Sequence, residues 1–418
     1  MFYCQITAEE TRLFNFVNYE SGWLWKDFIG KSGKINVMLG NFRPSKFWYA
    51  VAVLVGSTVG VGIYGMPFAF QKAGFGIGLL FLLGIGGLVL LSNLLYGEII
   101  LRTHERHQFV GYVKKYLNPW AQKFNLFLFW VAVYGALVGI IIISGDFLTN
   151  ILSPYFNFSP FAFSTIFLII ASILVFRGLR TVSRFDFFMM VLLGFIVLLI
   201  ALLGAKRVDL ANYAFGAGNF WFLPFGVVLF AMNSMPGIPL VREALIGSEN
   251  KFKKALMAGT IIPAVLYLVF TVFVVGISGD FTSPDAISGL LGFLGPKIVF
   301  IGSLFGFLTS STIFLNLATA LKESLREDFH FKHQWAWLLA ILPPYLLFLS
   351  GIRNFIDIIG LVGGVAISLE AILLVFVYIS AKKNGERIPE YSIRLPRPIL
   401  YLIILVFAAG AAYTLIIK

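Results

Sequence analysis

The sequence predicts an all-α membrane protein of eleven transmembrane helices, a 5+5 inverted repeat with broken helices one and six, plus one extra helix. Three observations lead there. Apolar residues make up 59% and charged residues 12% of the chain, where soluble domains carry about 25% charge. The apolar residues gather into runs long enough to cross about 30 Å at 1.5 Å per residue. Two of those runs, five apart, are interrupted by clusters of helix-breaking residues.

Residues 1–46 are mixed and polar, with Glu9, Glu10, Trp23, Trp25 and Phe28. No basic stretch leads into a short apolar core, so they read as a cytoplasmic tail rather than a signal peptide. The transmembrane domain, 47–418, has spans at 47–71, 76–101, 124–152, 160–177, 184–204, 219–241, 255–277, 296–321, 334–350, 354–379 and 398–417, the ninth barely long enough. Repeat one is 47–204 and repeat two 219–380, with 398–417 as the extra helix.

Lysine and arginine counts choose the orientation. One side of the membrane holds 26 of the 32, which places the amino terminus in the cytoplasm and the carboxyl terminus outside, with the plasma membrane the expected location. This bias also accounts for the net charge of +12 without a nucleic-acid partner. The lone cysteine, Cys4, forms no internal disulfide. His104, His107, His330 and His333 all fall between spans, which leaves no intramembrane metal site and disfavours an enzyme. The connection from Arg102 to Lys123 predicts a surface helix with Val110, Val113 and Leu117 on one face, resting on lipid headgroups. The outer connection from Ser278 to Lys297 is placed to cap a vestibule.

Span one contains Gly56-Ser57-Thr58-Val59-Gly60-Val61-Gly62, with Pro67 beyond. Glycine costs about 1 kcal/mol relative to Ala inside a helix, and backbone freed in lipid must find other partners. Two readings are open: a break lining a cavity, or close helix packing through Gly56 and Gly60, four apart. Span six carries the stronger signal, Phe230-Ala231-Met232-Asn233-Ser234-Met235-Pro236-Gly237-Ile238-Pro239. Its two prolines remove two backbone donors and clash with preceding carbonyls. Interrupted segments at matching positions of inverted halves point to a transporter's central site. Half-helix amino ends suit a carboxylate and freed carbonyls an ammonium or small cation, which together describe an amino acid.

The residues from Gly56 to Pro67, followed by Ala69-Phe70 and Ala73-Gly74, resemble the first-span signature of the amino acid/auxin permease and aromatic amino acid permease families, in the amino acid-polyamine-organocation superfamily. Ser144-Gly145-Asp146 and Leu229-Phe230-Ala231 leading to Ile238-Pro239 fit that pattern. The family's glutamate after Ile-Pro is replaced here by Leu240, with Glu243 three positions on. The resemblance implies import of a neutral amino acid, aromatic or hydroxylated among the options, coupled to Na⁺ or H⁺. The implied substrate contacts are Ser57, Thr58, Gly60, Val61, Gly62 and Ala231. Tyr134, Phe230, Asn233 and Phe314 would face the side chain.

Span eight's Gly306-Phe307-Leu308-Thr309-Ser310-Ser311 resembles the cation-binding turn of neurotransmitter:sodium symporters. That likeness implies an ion held by the carbonyls of Gly56, Val59 and Gly306 and the hydroxyls of Thr309 and Ser310. Alternatively, Thr309 and Ser310 bond back to carbonyls one turn earlier. No cofactor is implied beyond a bound Na⁺. Span five has no basic residue in its middle, which favours Na⁺. Glu370, alone within span ten, favours H⁺ as a relay, or serves as a protonated structural group. Glu98 is spaced to pair with Arg102, Asp146 is placed for outer gating, and Asp186 beside Arg184 reads as a structural charge.

Rival readings are an amino-acid-binding membrane sensor without net transport and an ion channel. The channel lacks an acidic filter motif and an arginine-rich span. Oligomeric state is not set by the sequence.

Overall fold

Span one does not run straight. In the computed structural model, which describes residues 45–178, 183–216, 220–327 and 330–417, its helix Lys46–Thr58 ends and a second helix, Gly62–Ala73, leaves at 61°. Between them Val59 is extended at φ −77° and ψ 106°. The side chains of Ser57 and Thr58 both donate to the carbonyl of Leu54, a local bond that competes with continued helix.

Spans two and three are the continuous helices Phe75–Arg102 and Pro119–Leu152, with a surface helix Phe109–Tyr116 between them. Asn118 caps span three through the amide of Ala121, with Pro119 in the first turn where no donor is needed. Spans four and five are Pro160–Phe176 and Ser183–Gly204. Span six is two short helices, Leu223–Ala231 and Ile238–Ala244, joined by irregular residues and a 3₁₀ turn at Met235–Gly237. Spans seven, eight and nine are Phe252–Ser278, Pro296–Glu327 and His333–Leu349. Span ten begins as Phe355–Leu361, widens into a π turn at 362–367 and continues as Ser368–Asn384; span eleven is Arg397–Ile417. Among the described residues, seven helices and the bent pair of span one are long and apolar enough to cross a membrane, and spans four and nine are shorter apolar helices.

The arrangement is concentric. In the most apolar stretch of span six 72% of the residues are buried, against 28% in spans two and eleven, so the twice-broken chain sits at the centre. Leu80, Leu83, Ile169, Phe195, Leu402 and Leu405 lie exposed on the outer helices, as lipid-facing side chains do. At the π turn a Cβ on Gly363 would run into the carbonyl of Gly226, so spans six and ten meet backbone to backbone.

One expectation changes, and others fall outside the described residues. The buried face of the helix Phe109–Tyr116 is Phe109, Tyr112, Val113 and Tyr116 rather than Val110, Val113 and Leu117, with Phe109 and Tyr112 edge-on to Tyr96 of span two. Aromatic edges found a protein surface to bury against. The tail, with Cys4, lies outside the described residues except for Ser45 and Lys46, as do the side chains of Arg184 and Asp186.

Candidate functional site

The two breaks touch. A Cβ added at Gly62 would lie 2.7 Å from the Cα of Ala231, so the restart of span one presses on the last helical residue before the break in span six. Only glycine permits that approach. In span six, Pro236 and Pro239 end the ladder, and the Asn233 side chain accepts from the Met235 amide to close a local turn.

Freed backbone here is satisfied by side chains from other spans. Tyr267 of span seven, fully buried, places its hydroxyl 2.9 Å from the Thr58 carbonyl and 3.0 Å from that of Ala231. One phenol proton is thus shared between the two broken helices. From span two, buried Asn93 donates to Ser234 at 2.7 Å and to Thr260 of span seven at 2.9 Å. The Asn93 carbonyl oxygen is buried without a hydrogen-bond partner among the described residues. Sequence reasoning missed both residues. Their signal was present, since a single polar group inside an apolar span is costly and seldom idle.

Of the residues expected at the substrate, Thr58, Val61, Gly62 and Ala231 are buried at the junction, beside Val59 of the expected ion set, and Gly60, Phe230 and Asn233 are half-buried. Gly60 has open room: the nearest atom to an added Cβ is the Ile313 Cδ1 of span eight, at 3.6 Å. Gly56, Ser57 and Pro236 are exposed, whereas Gly62 to Pro67 are all buried. Accessible space therefore reaches the breaks from the end where span one starts. At the other end Asp285, 3% exposed, pins the connection between spans seven and eight through Asn150, Ser283 and Ser288.

Two expected contacts face elsewhere. Phe314 is fully buried, edge-on to Phe167 of span four with ring centres 5.4 Å apart. It follows Ile313, which faces Gly60, so about 100° of helical rotation carries it away from the breaks. Tyr134 donates to the Leu339 carbonyl of span nine at 2.9 Å, while its neighbour Gly135 faces span ten.

Two of the expected ion ligands, Gly306 and Ser310, meet span three. Gly306 packs on the Phe147 ring, 2.5 Å from a would-be Cβ, and the Ser310 hydroxyl lies 2.8 Å from that of Ser144 and 3.0 Å from the Phe307 carbonyl. Both belong to the face of span eight that packs on span three. Thr309, buried, lies one turn before Ile313 on the side toward span one. Among the described residues no cluster of His, Cys, Asp and Glu could hold a metal ion.

Glu370 is half-buried one turn beyond the π turn and makes no hydrogen bond or ion pair with the described residues. Asp146 lines a cavity of about 420 Å³ with Asp285 and Arg353. Glu98 pairs with Arg102 at 2.8 Å as its spacing predicts, and does more besides. It is completely buried and accepts the Ile393 amide at 2.6 Å and the Ser392 hydroxyl at 3.0 Å, with Lys382 at 3.5 Å. The connection between spans ten and eleven is thereby strapped to span two.

Comparison with known proteins places this geometry. The sequence profile of the tryptophan/tyrosine permease family matches residues 43–414, nearly the whole chain. The chain belongs to the tryptophan/tyrosine permease family. This replaces the family names drawn from the first-span motif with a related family of amino acid permeases. The permease is 25% identical over 354 residues to a tyrosine-specific transport system 2 of Haemophilus influenzae, covering 76% of this chain and 84% of that one. It is 23% identical over 356 residues to a glutamine transporter 2 of Aliivibrio fischeri, covering 82% and 92%. Its fold is that of MhsT solved in complex with L-phenylalanine, with a TM-score of 0.61 at 14% identity over 87% of this chain and 98% of MhsT.

Proposed function

We propose that this permease is a secondary active transporter importing a neutral amino acid, aromatic in preference, in symport with Na⁺ or H⁺. The carrying observation is the junction of Gly62 and Ala231 beneath Tyr267, with open room at Gly60 beside it. The amide groups that start the helix at Gly62 bind the substrate carboxylate, and Phe230 and Asn233 border its side chain. The proposed architecture is the eleven-span inverted repeat, amino terminus cytoplasmic and carboxyl terminus outside, in the plasma membrane. The exposure of Gly56 and Ser57 then marks a form open to the cytoplasm.

In that form the cation is released. Na⁺ bound by Gly56, Val59, Gly306, Thr309 and Ser310 takes the place of Ser144 at the Ser310 hydroxyl. A second reading, H⁺ coupling, is supported by the unpartnered carboxyl of Glu370.

Proteoliposome uptake of labelled tyrosine and glutamine, with Na⁺ exchanged for choline at fixed pH, tests the proposal. Na⁺-dependent accumulation supports the ion set. Full accumulation in choline that Glu370→Gln abolishes supports the proton. Saturable binding with no accumulation would identify a sensor.

A further inference from the structure

Where spans ten and eleven meet the membrane surface, a groove of about 550 Å³ is lined by Lys382, Lys383, Arg394 and Arg397, with Ile379 and Leu400 beneath. Lys382 is committed to the fold: its ammonium donates to the Tyr378 hydroxyl at 2.8 Å and to the Ile393 carbonyl, with Glu98 at 3.5 Å. Lys383, Arg394 and Arg397 are exposed and make no ion pair or hydrogen bond with the described residues. No carboxylate lines the groove. Of the acids around it, Glu98, reached by Lys382, is buried against Arg102, Glu386 pairs with Lys115, and Glu390 pairs with Arg387. Three like charges converge with nothing to neutralise them.

We propose that this groove binds the headgroup phosphate of an anionic phospholipid. Its place decides for a lipid over a free phosphate. Arg397 opens the helix of span eleven, so the cations sit at headgroup level, and the faces that continue from them are apolar and exposed, through Tyr401, Leu402 and Leu405. A lipid satisfies both parts at once: phosphate oxygens accept from the two guanidinium groups and Lys383, and an acyl chain lies along span eleven. Bound there, it ties the end of span eleven to the strap that Glu98 holds on span two.

The test uses the full-length permease in nanodiscs, with phosphatidylglycerol as probe and phosphatidylcholine as control, and native mass spectrometry counting retained lipid. The wild type retains one phosphatidylglycerol in preference to phosphatidylcholine. Affinity falls roughly fivefold for each cation removed, through Arg397→Gln to the triple change Lys383→Gln, Arg394→Gln, Arg397→Gln. These exposed, unpaired side chains leave the fold intact, checked by an unchanged melting temperature in lipid-free detergent. Equal retention of the two lipids, or a triple variant that retains phosphatidylglycerol like the wild type, overturns the proposal. Displacement of the lipid by millimolar inorganic phosphate overturns it in favour of a free-phosphate site.

Discussion

The Tyr267 hydroxyl donates to the carbonyl oxygen of Thr58 at 2.9 Å, which fastens span seven to the point where span one stops being helix. The same hydroxyl is 3.0 Å from the Ala231 carbonyl, so one group serves the ends of both broken helices. Its removal leaves two buried acceptors short of a donor at once.

Tyr267→Phe therefore destabilises the protein by about 1–3 kcal/mol, the cost of a buried polar group left unpaired, with little change in packing. Thermal unfolding of the purified variant in detergent measures this. An unchanged melting temperature would mean that water already satisfies these carbonyls.

Gly60 and Gly62 answer differently to added bulk although they are two residues apart. An added Cβ at Gly60 meets only Ile313 Cδ1 at 3.6 Å, whereas at Gly62 it meets Ala231 Cα at 2.7 Å. Gly60→Val is expected to express and melt close to the wild type yet lose amino acid binding, because it fills space proposed for the ligand. Gly62→Ala is expected to lose about 1–3 kcal/mol by overpacking. Isothermal titration with tyrosine, beside melting curves of both variants, separates the two effects. Intact binding in Gly60→Val would remove Gly60 from the site.

The break in span six was legible in the sequence because Pro acts on its own backbone, so the Pro236–Pro239 pair announces interruption without any partner. The cluster at Gly56 to Gly62 alone left a break and close helix packing both open, and gained weight from its matching position. Tyr267 and Asn93 were not legible, since their importance arises from contacts such as Asn93 with Ser234, 141 positions apart. Phe314 and Tyr134 went astray for a related reason. Sequence spacing tells which residues share a helical face, and not which neighbour that face will meet. Span eight offers one face to span three, through Gly306 and Ser310, and another to span one, through Ile313. The close approach of span ten's π turn to Gly226 was equally hidden, since Gly226 lies on a different span.

Glu98 gives a sharper stability prediction. Its carboxylate is wholly buried and holds Arg102, Ser392 and the Ile393 amide. Removing one partner of a buried ion pair costs about 3–5 kcal/mol because the remaining charge stays unpaired. Glu98→Ala should lose that much and release the strap between spans ten and eleven. Limited proteolysis reads the release as new cleavage between Asn384 and Arg397. Cleavage no faster than in the wild type would show that the other ties, such as the Tyr391 hydroxyl donating to the Leu94 carbonyl at 2.7 Å and Glu386 paired with Lys115, hold the strap without Glu98.

At the same surface, Glu386 supplies a pH-dependent link. The Lys115 ammonium at 2.6 Å, then the His104 amide at 3.0 Å, hold its carboxyl below the ordinary value of 4.5. A carboxyl depressed in the folded state contributes stability that is full above its unfolded pKa and is lost as pH falls through its folded one. The difference in melting temperature between wild type and Glu386→Gln should hold steady from neutral pH down to about 5 and shrink toward zero below about 4. Glutamine keeps an acceptor for the His104 amide, so the difference isolates the charge facing Lys115. That pair is solvent-exposed, so the gap is small and closes in 1 M salt, roughly a 3 Å screening length. A gap that persists unchanged at low pH and high salt would assign the stabilisation to shape rather than charge.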